Sequence, residues 1–194
     1  MSEEYCGVKF SVDFLTKSAP KSSSDLLQLI EWCRYFDIHQ LAPPYPGGSA
    51  GNLSYRKTSG KPEFIITGTK IGLKNNLTEK QFVHVVDVDF STSKIKVNGL
   101  IKPSSESMLH WAIYNRRPEI NAIFHGHSPK ILEKARENKW IITENEVPYG
   151  TPELVKEVLN IIENQHFIII KNHGFLALGK NLEEAGIACK NAIF

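Results

Sequence analysis

Residues 121–128, Asn-Ala-Ile-Phe-His-Gly-His-Ser, form the stretch from which the fold can be worked out. Their apolar part lies between Pro118 and Pro129 and predicts a short buried strand, and a period of two places His125 and His127 on one face. Such a pair can chelate a divalent metal, because the shared backbone fixes the separation of the rings. Histidine pairs also occur with one ring in the core and one at the surface, so a metal site needs a third ligand and a base elsewhere.

The composition is that of an ordinary globular protein. The chain has 194 residues, of which 41% are hydrophobic and 23% charged, and its net charge is +2. That length is enough to bury a sizeable core without a metal or disulfide crosslink, so we expect any metal to serve chemistry. Charges of both signs are interspersed, which points to neither a nucleic acid nor an anionic membrane as partner.

The cysteines, Cys6, Cys33 and Cys189, are odd in number and lack Cys-x-x-Cys spacing. They indicate neither a disulfide framework nor a thiolate zinc site. We therefore expect the protein to work in a reducing cytoplasm. We find no signal-peptide pattern and no run of about 18 apolar residues, so we expect neither export nor membrane anchoring.

The chain divides into a predicted accessory N-terminal arm, residues 1–24, and one domain, residues 25–194. Weak alternation over 5–15 predicts an edge strand in the arm. Apolar residues at helical spacing predict a helix over 25–37 with Ser24 as its N-cap. Apolar strands joined by short turns, without regular βαβ alternation, predict an α/β fold with a mostly antiparallel or mixed sheet covered by helices.

A third ligand and a base are both available in the sequence. His173 lies between two apolar runs and is followed by Gly174, which allows the sharp turn needed to aim an imidazole inward. Three protein ligands leave a coordination position open, as catalytic metal sites do. Glu106 begins a predicted helix over 104–117, where free backbone N–H groups favour an anion, although a carboxylate there often only caps the helix.

Three short polar motifs could hold a phosphate. Gly51-Asn52 and Thr67-Gly68 each combine a glycine, which allows close backbone approach, with a polar side chain. Ser104-Ser105 adds hydroxyl groups at a predicted helix N-terminus, where phosphates bind readily. None of these motifs is specific alone.

Seven segments in order make the pattern specific. They are 48–54 (Gly-Ser-Ala-Gly-Asn-Leu-Ser), 66–69 (Ile-Thr-Gly-Thr), 102–106 (Lys-Pro-Ser-Ser-Glu), 117–129 around the two histidines, 149–154 (Tyr-Gly-Thr-Pro-Glu-Leu), 171–174 (Lys-Asn-His-Gly) and 179–185 (Gly-Lys-Asn-Leu-Glu-Glu-Ala). Over residues 25–194 this pattern closely resembles the class II aldolase/adducin family. The resemblance implies a three-layer α/β/α fold around a central, mostly antiparallel sheet. This agrees with the helix-covered sheet that the apolar segments predict.

The resemblance also implies roles for individual residues. The metal, zinc or another divalent ion at one per subunit, would be bound by His125, His127 and His173, and Glu106 would be the catalytic acid/base. The substrate phosphate would be held by the residues of the three polar motifs, Gly51, Asn52, Thr67, Gly68, Ser104 and Ser105.

The activity implied is that of a metal-dependent lyase, with a phosphorylated ketose cleaved to dihydroxyacetone phosphate and a small aldehyde. Dehydration of methylthioribulose 1-phosphate, or decarboxylation of a sugar-acid phosphate, would use the same site, and an adducin-like interaction module would use the fold without catalysis. Adducins have lost the metal ligands that this chain retains. Glutamate at position 106 favours an aldolase over the family epimerases, which usually carry Asp there.

One further proton donor cannot be assigned from the motifs. In fuculose aldolases a tyrosine from a neighbouring subunit is the proton donor. The corresponding region, between His127 and Tyr149, is shorter in this chain. Tyr149 and Tyr114 are the candidates here, and the N-terminal arm is another possible source. The family also implies a cyclic homotetramer with sites at subunit boundaries.

Overall fold

The structure, a computed structural model, describes residues 8–193. Its strands are β1 Ser11–Thr16, β2 Pro44–Tyr45, β3 Gly48–Ser49, β4 Asn52–Arg56, β5 Phe64–Thr67, β6 Phe82–Asp89, β7 Lys94–Gly99, β8 Ala122–Gly126, β9 Ile141–Ile142, β10 Phe167–Ile170 and β11 Gly174–Gly179. Its α-helices are α1 Ser24–Ile38, α2 Ser107–Arg116, α3 Pro129–Lys134, α4 Pro152–Leu159 and α5 Leu182–Ile193. Short 3₁₀ turns lie at Lys74–Asn76 and Glu79–Gln81.

Among residues 8–193, nine strands form one sheet in the order β1-β7-β6-β5-β4-β8-β11-β10-β9, and β2 pairs with β3 in a separate hairpin. Neighbours pair antiparallel except at the two edges, where β1 lies parallel to β7 and β9 parallel to β10. The prediction of a mostly antiparallel, mixed sheet is therefore confirmed. Strand β8, which carries His125, lies at the centre between β4 and β11.

Helices cover both faces of the sheet, and each face has its own hydrophobic cluster. One cluster packs α2 and α4 on the sheet, with Trp111 and Leu154 among its buried residues. The other packs α1, α3 and α5 on the opposite face, with Phe36 and Ala185 among them. Because successive side chains of a strand point to opposite faces, the central strand β8 contributes to both clusters, so the three-layer α/β/α architecture predicted from the motifs is confirmed.

Two predicted helix starts are wrong. Helix α1 begins at Ser24, and its N-cap is Ser23, whose Oγ accepts a hydrogen bond from the Leu26 N–H at 3.2 Å. Helix α2 begins at Ser107 rather than Ser104. The segment before it is held extended by the end of β5, since the Ser104 N–H donates to the carbonyl of Thr67 at 3.1 Å.

The described part of the N-terminal arm belongs to the main sheet. The predicted edge strand is present as β1, with Ser11 opposite Lys94 of β7. Residues 5–7 of that prediction lie outside the described residues. Phe10 is buried in the cluster beneath α2 and α4, and Lys9 donates a hydrogen bond from Nζ to the carbonyl of Tyr149 at 2.7 Å. Division of the chain at residue 25 stays a prediction.

None of the helices within residues 8–193 is long and apolar enough to cross a membrane.

The contact between α5 and α1 gives a test of this packing. A Cβ on Gly186 would lie 2.0 Å from the ring of Trp32, and that ring is confined by Phe124, 5.8 Å away between centroids. Alanine is normally preferred to glycine in a helix by about 1 kcal/mol. We expect Gly186→Ala nevertheless to lower the free energy of unfolding by about 1–3 kcal/mol, because overpacking outweighs helix propensity.

Urea denaturation followed by circular dichroism would measure this change. Asn191→Ala, at an exposed position of α5, is the matched control and should leave stability nearly unchanged. A Gly186→Ala protein as stable as the wild type would contradict the packing described.

Candidate metal centre

The turns and strand ends around β8 bring the three predicted histidine ligands together. His125 lies in β8, which pairs with β11 on one side and β4 on the other. His127 does not lie on the strand as predicted, because β8 ends at Gly126; its backbone N–H donates to the carbonyl of Leu41 at 2.8 Å. His173 occupies the tight turn between β10 and β11, where its N–H donates to the carbonyl of Ile170 at 3.0 Å.

The three imidazoles form a compact cluster. One ring nitrogen from each of His125, His127 and His173 lies within 4.8 Å of the others, and the Nε2 atoms of the first two are 2.9 Å apart. Gly174 makes this approach possible, since a Cβ there would lie 2.4 Å from the carbonyl oxygen of Gly126 and 2.9 Å from the ring of His125. A side chain at position 174 would therefore push the ligands apart.

This donor set fits a divalent metal such as zinc. Zinc–nitrogen bonds of about 2.0–2.1 Å place tetrahedral ligands roughly 3.4 Å from each other, which small ring movements within the cluster would reach. His125 is already oriented, because Nδ1 donates to the carbonyl of Phe175 at 2.8 Å, so Nε2 is the ring nitrogen that faces the cluster. Burial lowers the pKa of His125, and lowers that of His127 well below its ordinary value, so both rings favour the neutral, ligating form.

Glu106 faces the same cluster. Its Oε2 lies 3.0 Å from Nε2 of His125, and its Oε1 lies 3.1 Å from Nε2 of His173. Asn52 donates from Nδ2 to Oε2 of this carboxylate at 2.7 Å. Although Glu106 is the N-cap residue of α2, its side chain makes no capping bond, so it is not merely a helix-start carboxylate.

The charge on Glu106 is set by opposing effects. The side chain is buried, with 4% of the residue exposed, and burial raises the pKa of its carboxyl group. The imidazoles of His125, His173 and His127 act in the other direction and hold the pKa well below its usual range. The carboxylate form is thus the stable one beside the ligands.

The predicted phosphate-binding motifs converge on one side of this centre. Asn52 lies opposite His125 in the β4–β8 pair, and Gly51 before it adopts φ +71°. Thr67 accepts at Oγ1 from the Leu53 N–H at 3.3 Å, which ties the end of β5 to the start of β4. Gly68, directly after β5, forms an isolated antiparallel bridge with Pro103 in the segment before α2.

The serines complete the arrangement. Ser104 and Ser105 are both buried, at 6% and 8% exposure, in the turn immediately before Glu106. All six predicted phosphate ligands therefore lie at strand ends or turns that are linked to one another, and Asn52 connects them to Glu106. The Asn52 amide, however, is hydrogen-bonded to Glu106 rather than presented to an open surface.

The two candidate tyrosines lie in different surroundings. Tyr114 is buried in α2, and its hydroxyl is 2.8 Å from Oγ of Ser54, so it belongs to the core beneath the site. Tyr149 is also largely buried and precedes Gly150, which packs closely on the Ser105 carbonyl. Both side chains are buried in this chain, so neither is an exposed proton donor.

Sequence reasoning gave His110 too little weight. It lies one turn beyond Glu106 on α2, is fully buried, and its Nδ1 is 2.7 Å from Oγ of Ser54. The spacing of Glu106, His110 and Tyr114 at intervals of four residues is a signal that could have placed all three on one helix face. Lys74 was missed as a buried residue altogether, because a lysine in a polar loop is normally exposed.

Comparisons with known proteins agree with this site. The model of the class II aldolase and adducin N-terminal domain matches residues 28–191. An L-fuculose phosphate aldolase of Methanococcus maripaludis is 31% identical over 179 residues, which cover 84% of this chain and 89% of that protein. An L-fuculose phosphate aldolase of Escherichia coli K12 is 32% identical over 153 residues, which cover 71% of this chain and 66% of that protein.

The fold comparison gives the same answer. A solved structure of an L-fuculose 1-phosphate aldolase superposes with a TM-score of 0.70 at 24% identity, covering 89% of this chain and 84% of that one. The chain belongs to the class II aldolase and adducin family. The curated relatives described above are lyases by name.

The buried imidazole of His110 predicts a pH dependence of stability. Burial lowers the pKa of His110 to about 3, whereas a histidine in the unfolded chain titrates near 6.5. Between these values the unfolded state binds one more proton at this residue, so the free energy of unfolding falls as the pH is lowered from about 6.5. We expect His110→Asn, which can keep the bond to Ser54 without titrating, to lose less stability than the wild type when the pH is lowered from 6.5 to about 4.5–5. The difference should be about 2 kcal/mol.

Urea unfolding of both proteins across this pH range measures the difference. His39→Asn, which removes an exposed histidine, is the control for replacing an imidazole at the surface. Parallel pH profiles for the wild type and His110→Asn would show that His110 does not stay neutral in the fold.

Proposed function

We propose that this protein is a zinc-dependent lyase that cleaves a phosphorylated ketose to dihydroxyacetone phosphate and a small aldehyde. The observation that carries the proposal is the contact of the Glu106 carboxylate with His125 and His173, which places a base directly beside a three-nitrogen ligand set. The curated relatives named L-fuculose phosphate aldolases support the reaction class. Which ketose is used depends on surfaces outside these motifs.

The metal would be held by the ring nitrogens of His125, His127 and His173. When bound, a divalent cation supplies Lewis-acid polarisation of the substrate oxygens next to the bond that breaks. Zinc is proposed because three histidines are a common ligand set of catalytic zinc sites. Manganese, cobalt or another divalent ion could occupy the same three nitrogens.

Glu106 would carry the proton at the reacting carbon. In the condensation direction its carboxylate removes a proton from the hydroxymethyl carbon of dihydroxyacetone phosphate, and in cleavage the same proton returns to that carbon. Asn52 keeps the carboxylate oriented through its 2.7 Å hydrogen bond. The aldehyde oxygen exchanges its proton with a second donor that this chain, taken alone, does not position.

Phosphate binding would orient the substrate toward this base. We assign it to the six residues of the three polar motifs, with Ser104 and Ser105 directly preceding Glu106 in the chain. A phosphate fixed there lies within a few residues of the acid/base, so binding energy at the phosphate aligns the reacting carbon.

Assembly and location follow from the same proposal. We infer a homotetramer with sites at subunit boundaries, as the resemblance to the family implies. Cys33 and Cys189 are buried free thiols, which suits work in a reducing cytoplasm. Neither a nucleic acid nor a membrane is part of the proposed function.

Metal content gives the first test. We expect the purified protein to hold about one zinc ion per chain by elemental analysis and to release dihydroxyacetone phosphate from at least one member of a panel of ketose 1-phosphates. His173→Ala removes one of three ligands and should abolish both, whereas the exposed His39→Ala should alter neither. Dehydrated or decarboxylated products from the panel would instead identify one of the related family reactions, and a metal-free protein inactive on every substrate would refute the lyase.

Replacement of the base gives the second test. Glu106→Gln keeps the size of the side chain and an oxygen for Asn52, so we expect zinc content to be retained. Loss of the ionisable group should lower kcat by about 10²–10⁴-fold, the usual contribution of acid/base catalysis. A variant with normal kcat and normal zinc would remove Glu106 from this role.

A further inference from the structure

Lys74 is a buried cation beside the proposed phosphate site. It lies in the 3₁₀ turn Lys74–Asn76 with only 1% of its surface exposed. Its Nζ donates to Oγ of Ser49 at 2.7 Å and to the carbonyl of Ala50 at 2.8 Å, and lies 3.5 Å from the carbonyl of Ser49. All three acceptors are uncharged oxygens.

The ammonium group has no carboxylate bound directly to it. None of the ion pairs found within residues 8–193 includes Lys74. Asp37 lies near, but its Oδ1 accepts from the backbone N–H of Lys74 rather than from Nζ. Burial lowers the pKa of Lys74 to about 8, and Cys33 and Asp37 oppose that shift. A buried charge that lacks an opposite charge is costly, and an anion bound close by would lower that cost.

The position of Lys74 connects it to the phosphate loop. Its hydrogen-bond acceptors belong to Ser49 and Ala50, the residues directly before the Gly51-Asn52 motif. The lysine therefore holds the loop in place by contacts to the residues that precede the motif. Gly51 is itself pressed against the sheet, since a Cβ there would lie 2.6 Å from the carbonyl oxygen of His125. The Ala50 N–H donates to the carbonyl of Pro43 at 2.9 Å, so both sides of the peptide chain just before the motif are held in place.

The positive charge also lies close to the loop in space. Nζ is 2.8 Å from the carbonyl oxygen of Ala50, the residue directly before Gly51. A buried charge acts on an anion bound at this loop without touching it, because the Coulomb interaction is larger at low dielectric constant and is screened less than in water.

We infer that Lys74 is a positioning residue for the substrate phosphate, which it serves by fixing the loop at residues 49–52 and by holding a buried positive charge behind it. The inference rests on the proposed phosphorylated substrate and adds a residue to that site. Direct contact with the phosphate is not required, since the hydrogen atoms of the ammonium group are directed to Ser49 and Ala50.

Calorimetric titration of the zinc-loaded protein with inorganic phosphate tests this role. Lys74→Gln keeps a hydrogen-bond donor without the charge, and Lys74→Arg keeps the charge. We expect Lys74→Gln to weaken phosphate binding by about tenfold or more and Lys74→Arg to weaken it much less, because the charge is the larger contribution. Lys80→Met, at an exposed position in the next turn, is the control and should bind phosphate as the wild type does.

Two further readouts separate positioning from simple damage to the fold. Zinc content should be the same in all variants, since the ligands are untouched, and in the lyase assay Lys74→Gln should raise KM for the phosphorylated substrate with little change in kcat. Phosphate affinity equal to the wild type in Lys74→Gln, or equal losses in the Gln and Arg variants, would overturn the charge role. A wild-type protein that does not bind phosphate would overturn the inference too, while product release from the ketose panel decides separately on the lyase.

Discussion

The buried contact between the Glu106 carboxylate and the imidazoles of His125 and His173 ties together the elements that form the site. Its two distances, 3.0 and 3.1 Å, join a helix on one face of the sheet to the central strand and to the turn before β11. Buried ionisable groups are costly unless they are paired or hydrogen-bonded. The sheet order supplies that condition, because β8 lies between the strands that begin at Asn52 and just after His173.

Helix α2 is bound to β4 along its whole length by buried hydrogen bonds from polar side chains. Alternate residues of β4 face the helix: Asn52 binds Glu106, Ser54 binds the ring of His110, and Arg56 donates to carbonyls at the C-terminal end of the helix. An anion therefore lies at the helix N-terminus and a cation at its C-terminus, which complements the helix dipole at both ends. Orientation of the proposed base is thus a property of the whole helix rather than of one side chain.

Local patterns predicted the pieces of this arrangement, but not how they meet. The edge strand β1 and the strand that carries His125 were both predicted, because the alternation and the flanking prolines that indicate them lie within a few residues of each strand. The start of α2 was misplaced because Ser104 bonds to Thr67, a contact between residues far apart in the chain. His127 lies beyond the end of its predicted strand for a similar reason, since its N–H donates to the carbonyl of Leu41. The burial of Lys74 likewise depends on contacts with Ser49 and Ala50. The histidine cluster itself was found through ordered motifs, since no local pattern states that β8 and β11 are neighbours.

The site also lowers the stability of the fold that holds it. Among residues 8–193, the buried side-chain atoms without a hydrogen-bond partner are Oδ1 of Asn52 and Nε2 of His110. Each belongs to the β4–α2 contact, one beside Glu106 and the other one helical turn away. An unpaired buried polar atom costs about 1–3 kcal/mol, and apolar side chains of similar shape would avoid that cost. The cost is concentrated at the base and its support rather than spread through the core, as expected where residues are retained for chemistry instead of packing.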